Sequence, residues 1–144
     1  ELCGKDHGFM PIVVVAKAPE DYAKWVAEQQ GVAAAAAASA DREWTKDELM
    51  AKGEQVYNTN CAACHQPNGQ GLPPAFPSIV GSPIATGEAA GHIGLVLNGK
   101  PGTAMASYRD ILNDADMAAV LTYQRNSWGN AASIIQPAAI KAAR

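Results

Sequence analysis

The chain has 144 residues, of which 48% are hydrophobic and 17% charged, and its formal net charge is -3 at neutral pH. This length suits one compact domain with extensions. A charge so close to zero offers no basic stripe of the kind that nucleic acids require, so nucleic-acid binding is excluded. The sequence contains no run of about 18 apolar residues, so it predicts no membrane span. Its first residues lack the pattern of a secretory signal.

An alanine-rich segment, residues 31–40, separates the beginning of the chain from the rest. Its six consecutive alanines, Ala33 to Ala38, give no periodicity with which one face could be buried against a core. We interpret the segment as a linker. Because alanine is the best helix former, we expect this linker to be partly helical and to act as a semi-rigid spacer.

Two longer helices are predicted downstream. Thr45 and Glu48 have the spacing of a capping box and mark the start of the first helix. Gly53 lies inside that helix and would cost about 1 kcal/mol against alanine in an isolated helix, so we expect another helix to cross there. The predicted partner is residues 113–128, which begin with a suitable N-cap residue and continue with apolar residues at helical spacing.

Glycine and proline dominate the segment between these helices. Residues 66–87 include Gly-Leu-Pro-Pro-Ala-Phe at 71–76, which excludes a regular helix or a central strand. A short helix is expected over residues 88–97, before the turn signal Asn98-Gly99. Pro137 allows a last short helix near the C-terminus.

The motif that carries the chemistry is Cys61-Ala62-Ala63-Cys64-His65. Two cysteines separated by two residues and followed at once by histidine are the pattern of c-type haem attachment. Each thiol adds to one vinyl group of the porphyrin, and the adjacent histidine reaches the iron from the same side. A thioredoxin-like redox pair would need a βαβ context and a zinc site a second pair of ligands, and the sequence offers neither. We therefore predict one covalent haem c on Cys61, Cys64 and His65, serving electron transfer.

The second axial ligand must be chosen among several methionines and histidines. The candidates are Met10, Met50, Met105, Met117, His7 and His92. Met50 and Met117 fall on predicted helices, and His92 falls early in the short helix, where a structural role is simpler. Met105 lies in a loop rich in glycine and proline, residues 99–108, which we call the methionine loop. This loop can carry the Met105 thioether to the iron face opposite His65. A neutral thioether raises the reduction potential, so we expect His65 and Met105 to be the axial ligands.

Residues 41–144 resemble a class I cytochrome c. The resemblance rests on Gly53 and Tyr57 ahead of the haem motif, the Gly-Leu-Pro-Pro loop, the methionine loop, and Leu-Thr-Tyr in the last long helix. It implies an all-α class I cytochrome c fold in which the first and last helices cross at the glycine. It also implies that a loop proline carbonyl accepts a hydrogen bond from the axial histidine, and Pro73 and Pro74 both match that position.

The first thirty residues resemble the end of the dinuclear copper motif, CuA, in subunit II of cytochrome c oxidase. Residues 1–10, Glu-Leu-Cys-Gly-Lys-Asp-His-Gly-Phe-Met, carry this resemblance. The apolar run from Ile12 to Val15 resembles that domain's last strand, and Tyr22 and Trp25 resemble its closing helix. Thiolate, imidazole and thioether together suit copper. On this match the copper ligands are Cys3, His7 and Met10, with the backbone carbonyl of Glu1.

The order of the parts resembles a caa3-type oxidase, whose subunit II carries its own cytochrome. Residues 1–30 are then a remnant strand and helix of a cupredoxin-like, copper-binding domain, residues 31–40 the linker, and residues 41–144 the haem c domain. The second bridging cysteine, the upstream histidine and the remaining β-barrel are missing. We therefore expect copper in the parent protein only, and no assembled copper pair in this chain.

The same resemblance implies partners and a location. Electrons would come from a quinol-cytochrome c reductase or a soluble cytochrome c, and would pass to the CuA domain and catalytic subunit of cytochrome c oxidase. The site would be the periplasmic face of the bacterial inner membrane, with membrane contact only through the parent chain. The alternative is a free-standing class I cytochrome c serving another periplasmic oxidoreductase. A haem enzyme such as a peroxidase needs an open iron face with a distal acid or base, which nothing near Met105 supplies.

Overall fold

The computed structural model describes residues 13–144. The chain divides into two compact units, Glu1–Ala33 and Ala34–Arg144. The copper ligands expected from the sequence lie outside the described residues; they are Glu1, Cys3, His7 and Met10. None of the helices within residues 13–144 is both long and apolar enough to cross a membrane.

Helix α1 spans Pro19–Ala40 and continues without a break through the alanine-rich segment. Glu20 and Asp21 in its first turn suit the positive end of the helix dipole. The segment expected to be a partly helical linker is thus helical over its whole length. The strand was predicted from Ile12 to Val15. In its described part Val13, Val14 and Val15 are exposed and lie outside any helix or strand. A strand needs a partner for its backbone donors and acceptors, and residues 13–144 form no sheet that could provide one.

Helices also make up the regular structure of the second unit. In chain order they are α2 Lys46–Asn60, α3 Ala62–His65, α4 Pro83–Thr86, α5 Ala89–Asn98, α6 Asp114–Asn126 and α7 Pro137–Ala143. The predicted all-α class is confirmed for the described residues. The sequence predicted α2, α5, α6 and α7, but not α3 and α4, which have four residues each.

Helices α2 and α6 cross at Gly53, as predicted. A Cβ atom on Gly53 would lie 2.2 Å from the backbone oxygen of Ala119 and 2.6 Å from the Cβ of Tyr123. Only glycine lets the two backbones approach this closely. Leu49 and Tyr57 of α2 and Leu121 of α6 are buried in the same core cluster, and the haem motif continues from the end of α2.

The capping box at the start of α2 is confirmed. The Thr45 hydroxyl accepts from the Glu48 backbone N–H at 3.3 Å, and the Thr45 backbone N–H donates to the Glu48 carboxylate at 2.8 Å. Arg42 donates to the same carboxylate at 2.9 Å. These hydrogen bonds, from Arg42 first and then from Thr45, lower the pKa of Glu48 to about 2.

The capping box predicts a pH-dependent part of the stability. Since the pKa of Glu48 falls from 4.5 to about 2 on folding, its ionised form stabilises the fold above the higher value. That contribution is lost as the pH falls towards about 2. We expect Glu48→Gln to lower the free energy of unfolding at neutral pH, with the difference from wild type vanishing in acid. Urea unfolding across this pH range measures the difference in the free energy of unfolding between the two proteins. Glu28→Gln, on exposed α1, is the control and should show no such trend; equal trends would contradict the prediction.

Candidate functional site

One cavity of the second unit contains all four residues predicted to hold the haem. It has a volume of about 500 Å³ and is lined by Cys61, Cys64, His65 and Met105. Most of the remaining lining is apolar and comes from the loop at 74–79, helix α5 and the methionine loop. The structure therefore brings together residues that lie up to 44 positions apart in the sequence.

The haem motif is placed by one helical turn at the end of α2. The Cys61 N–H donates to the Tyr57 carbonyl at 2.8 Å, and the N–H groups of Cys64 and His65 both donate to the Cys61 carbonyl, at 3.2 and 2.9 Å. Residues three and four positions apart on a helix share a face. The local fold thus puts two thiols and an imidazole on one side of the chain. Covalent attachment of a haem through both thiols and ligation of its iron by the imidazole require this arrangement.

The imidazole of His65 is oriented by a backbone carbonyl. Its Nδ1 lies 3.0 Å from the oxygen of Pro77, which can only accept, so Nδ1 carries the proton and Nε2 is left for a metal. The expectation that Pro73 or Pro74 supplies this carbonyl is wrong. Both lie in the turn closed by hydrogen bonds between Leu72 and Phe76, and the next proline after that closure reaches the histidine.

Met105 is held by the backbone of its loop. The Lys100 N–H donates to the Met105 carbonyl at 2.9 Å, and the Met105 N–H donates to the Thr103 hydroxyl at 3.2 Å. Gly99 has a φ of 70°, and a Cβ there would lie 2.6 Å from the Met105 oxygen. The Tyr108 hydroxyl donates to the Asn60 carbonyl at 2.8 Å and ties this loop to the end of α2. The loop is therefore fixed relative to the haem motif.

The other candidate ligands within the described residues fall into two groups. Met117 is fully buried in the core, and Met50 is half-buried; neither lines the cavity. His92 does line it and is only 4% exposed. Burial above all, and then the charge of Arg125, lowers the pKa of His92 to about 4, so its ring is neutral at neutral pH. No sequence signal distinguished this side chain from an ordinary structural histidine.

The Cys61 thiol is unsuited to thiolate chemistry. Burial, with a smaller contribution from Cys64, raises the pKa of the Cys61 thiol to about 12. A reactive or metal-binding cysteine needs the opposite shift. Residues 13–144 also contain no group of three or more histidines, cysteines or acidic residues that could hold a metal ion. The raised pKa of Cys61 argues against a redox dithiol, whereas a neutral thioether tolerates such burial.

Together these features fit haem c. One largely apolar cavity is bordered by the thiols of Cys61 and Cys64, the imidazole of His65 and the thioether of Met105. The thiols lie one helical turn apart, and Nδ1 of the imidazole is already paired with a carbonyl. One buried side-chain nitrogen of the lining, His92 Nδ1, has no hydrogen-bond partner within the described structure.

Comparison with known families gives the same result. Residues 48–123, just over half of the chain, match the family described as cytochrome c oxidase, cbb3-type, subunit III. The chain belongs to this cytochrome c family. As a cytochrome c, it transfers electrons by means of a covalently bound haem c. The cytochrome c domain contains the complete attachment motif inside the matched region.

Three relatives show how widely this cytochrome c domain is used. It is 35% identical to cytochrome c-552 of Thermus thermophilus over 99 residues, which cover 59% of this chain and 74% of the relative. It is 34% identical to the cytochrome c subunit of a quinone alcohol dehydrogenase from Gluconobacter oxydans, covering 54% of this chain and 18% of the relative. It is also 34% identical to the Cbb3-type cytochrome c oxidase subunit CcoP of Azospirillum, and the match covers 56% of this chain and 29% of the relative. The chain thus spans less than a third of the last two proteins.

Proposed function

We propose that this cytochrome c domain takes electrons from a quinol-cytochrome c reductase or a soluble cytochrome c. It passes them to the CuA site of a cytochrome c oxidase at the periplasmic face of the inner membrane. Cys61 and Cys64 hold the haem, and His65 and Met105 are its axial ligands. The convergence of these four residues on one cavity, with the Pro77 carbonyl on His65, carries the haem assignment. The oxidase assignment is supported by the resemblance of residues 1–10 to the CuA motif.

Each residue of the site has a separate role. Haem c, when bound, supplies a one-electron couple whose potential depends on its axial ligands. Cys61 and Cys64, at the start of α3 and within it, would hold the haem covalently. The Pro77 carbonyl orients the His65 ring, and hydrogen bonds to the backbone of Met105 fix the loop that carries its thioether. Apolar side chains such as Val96 and Ile79, both nearly buried, exclude water. A site held this firmly is preorganised for electron transfer.

The surface around the cavity is apolar. Leu72, beside the cavity loop, is 53% exposed, and Ile84, which lines the cavity, is 46% exposed. Lys100 contributes the one lysine or arginine among the lining residues that the structure describes. Residues 41–144 carry eight basic and nine acidic side chains, a formal charge of −1. Such a surface favours docking by apolar contact rather than by long-range steering.

This surface predicts a weak dependence of electron transfer on salt. We expect the second-order rate constant for oxidation of the reduced protein by a soluble CuA domain to change less than about threefold between low and high salt. Charge-steered pairs change by roughly 10- to 1,000-fold. Stopped-flow absorbance measures the rate. Leu72→Ala should slow the reaction, whereas Ile111→Ala, 60% exposed and not part of the cavity lining, should not. A steep fall with added salt would show that charges guide docking.

A second candidate is a free-standing cytochrome c serving another periplasmic oxidoreductase. The match to 74% of cytochrome c-552 favours it. If the CuA domain oxidises the reduced protein no faster than an unrelated acceptor does, this second candidate is favoured.

The proposed copper ligands Cys3, His7 and Met10 include one thiolate, whereas a dinuclear copper site needs two bridging thiolates. Metal analysis of the purified chain should find essentially no copper. Two coppers per chain would contradict this part of the proposal.

A further inference from the structure

Gln66, the residue directly after His65, has a backbone conformation that residues with a side chain disfavour. Its φ is 63° and its ψ is 154°. This region is populated almost entirely by glycine, because a Cβ atom crowds the backbone there. Such a conformation persists only where the surrounding structure holds it. The contacts that hold Gln66 therefore act directly beside the proposed axial ligand.

Hydrogen bonds hold both peptide groups of Gln66. Its N–H donates to the Ala62 carbonyl at 2.8 Å, within the haem motif. Its carbonyl accepts from the Tyr57 hydroxyl at 2.7 Å and from the Gly69 N–H at 3.0 Å. Gly69 belongs to the same turn as Gln66, whereas Tyr57 belongs to helix α2. The Tyr57 hydroxyl therefore ties this carbonyl to the core of the domain.

Tyr57 is a fixed donor. It is fully buried, and the centroid of its ring lies 5.0 Å from that of Trp128 and 5.5 Å from that of Tyr123. Burial above all raises the pKa of its hydroxyl above the ordinary value, so the group keeps its proton. A phenyl ring could fill the same space without burying a polar group. The hydroxyl thus serves the hydrogen bond to Gln66 and not the packing.

The turn that follows Gln66 leads to the segment that orients His65. Gly69, which donates to the Gln66 carbonyl, accepts through its own carbonyl from the Ile79 N–H at 2.8 Å. Ile79 lies two residues after Pro77, whose carbonyl pairs with His65 Nδ1 at 3.0 Å. A change of conformation at Gln66 would therefore displace the carbonyl that orients the imidazole.

We propose that Tyr57 is a positioning residue for the haem ligand: its hydroxyl holds the disfavoured conformation of Gln66 and thereby maintains the hydrogen bond between His65 and Pro77. The proposal rests on the haem binding proposed above. A hydrogen bond from Nδ1 makes the imidazole a more basic ligand, which favours the oxidised state of a bound iron. Loss of the Tyr57 hydroxyl should therefore weaken this effect and favour reduction.

Solvent exchange of the His65 Nδ1 proton measures how often its hydrogen bond opens. In reduced protein with 15N-labelled histidine, we expect Tyr57→Phe to speed this exchange about three- to tenfold, the effect of one ordinary hydrogen bond. Tyr123→Phe is the matched control, because its ring packs on Tyr57 while its hydroxyl pairs with the Ser127 side chain. It should leave the exchange rate unchanged. Equal rates in Tyr57→Phe and wild type would overturn the proposal.

The equilibrium constant for reduction separates positioning from a general role in stability. It should rise in Tyr57→Phe, because the imidazole becomes less basic. A merely loosened core would admit water, which stabilises the more highly charged oxidised state and lowers the constant. A lower constant in Tyr57→Phe would therefore overturn the proposal.

Gln66→Gly tests whether the hydroxyl acts by holding the disfavoured conformation. Glycine adopts a φ of 63° without crowding from a Cβ atom, so the hydroxyl is then not needed to hold it. We expect Tyr57→Phe to have little effect on the exchange rate of His65 when Gln66→Gly is already present. An effect as large as that in the wild-type background would overturn the proposal.

A measurement on the unaltered protein guards against variants that fail to fold. The hydroxyl proton of Tyr57 and the amide proton of Gly69 point at the same Gln66 oxygen, each about 2 Å from it, so they lie within about 4 Å of each other. Reduced protein should show a nuclear Overhauser cross-peak between them, and its absence would overturn the proposal. Absence of haem from the wild-type protein would instead contradict the proposed function itself, so the two failures are distinguishable.

Discussion

Met105→Ala removes a proposed axial ligand, and we expect it to abolish the weak far-red band of the oxidised protein that arises from iron–thioether coordination. The midpoint potential should fall by a sizeable part of the roughly 0.8 V range over which axial ligands set haem potentials. The loop itself should stay in place, because its hydrogen bonds use the backbone of Met105 and the side chain of Thr103. The open iron face should then bind carbon monoxide or cyanide.

Absorption spectra and a redox titration measure these changes. Met50→Ala is the matched control, since Met50 is half-buried and does not line the cavity. It should keep both the band and the potential. A far-red band that survives in Met105→Ala and disappears in Met50→Ala would move the ligand assignment to Met50.

Gly53→Ala should produce the largest loss of stability among single-methyl changes in this domain. The added Cβ would lie 2.2 Å from the Ala119 backbone oxygen, so α2 and α6 must separate. Overpacking of this kind costs about 1–3 kcal/mol, and contact with rigid backbone places it towards the upper end. The better helix propensity of alanine offsets about 1 kcal/mol. We expect a net loss of about 2 kcal/mol in the free energy of unfolding.

Urea unfolding of the haem-loaded protein, followed by circular dichroism, measures this loss. Gly91→Ala on α5 is the control, because a Cβ there meets no atom within 4 Å. It should be neutral or stabilising by up to about 1 kcal/mol. Equal stabilities of the two variants would show that the crossing tolerates a side chain and that the close approach is not required.

Local patterns in the sequence were enough to predict the parts of the site that depend on local structure. The spacing of Cys61, Cys64 and His65 requires only one helical turn, and the capping box at Thr45 requires only the first turn of α2. Gly53 was informative because a glycine in mid-helix has a cost that a close crossing explains.

The features missed from the sequence depend on long-range packing. Which proline reaches His65 is decided by the Leu72–Phe76 closure, so Pro77 could not be chosen by position. Only the folded structure shows that His92 Nδ1 is buried without a hydrogen-bond partner within the described residues. A run of valines predicts a strand, but it cannot supply the second strand that Val13–Val15 would need.

The most direct test of the account is the mode of haem attachment in protein matured in cells that attach haem c. We predict one haem per chain that stays on the polypeptide through acid-acetone extraction. The peptide containing Cys61 and Cys64 should gain the mass of one haem. Haem that is extracted by acid-acetone, or a peptide of unmodified mass, would contradict covalent attachment at these two cysteines.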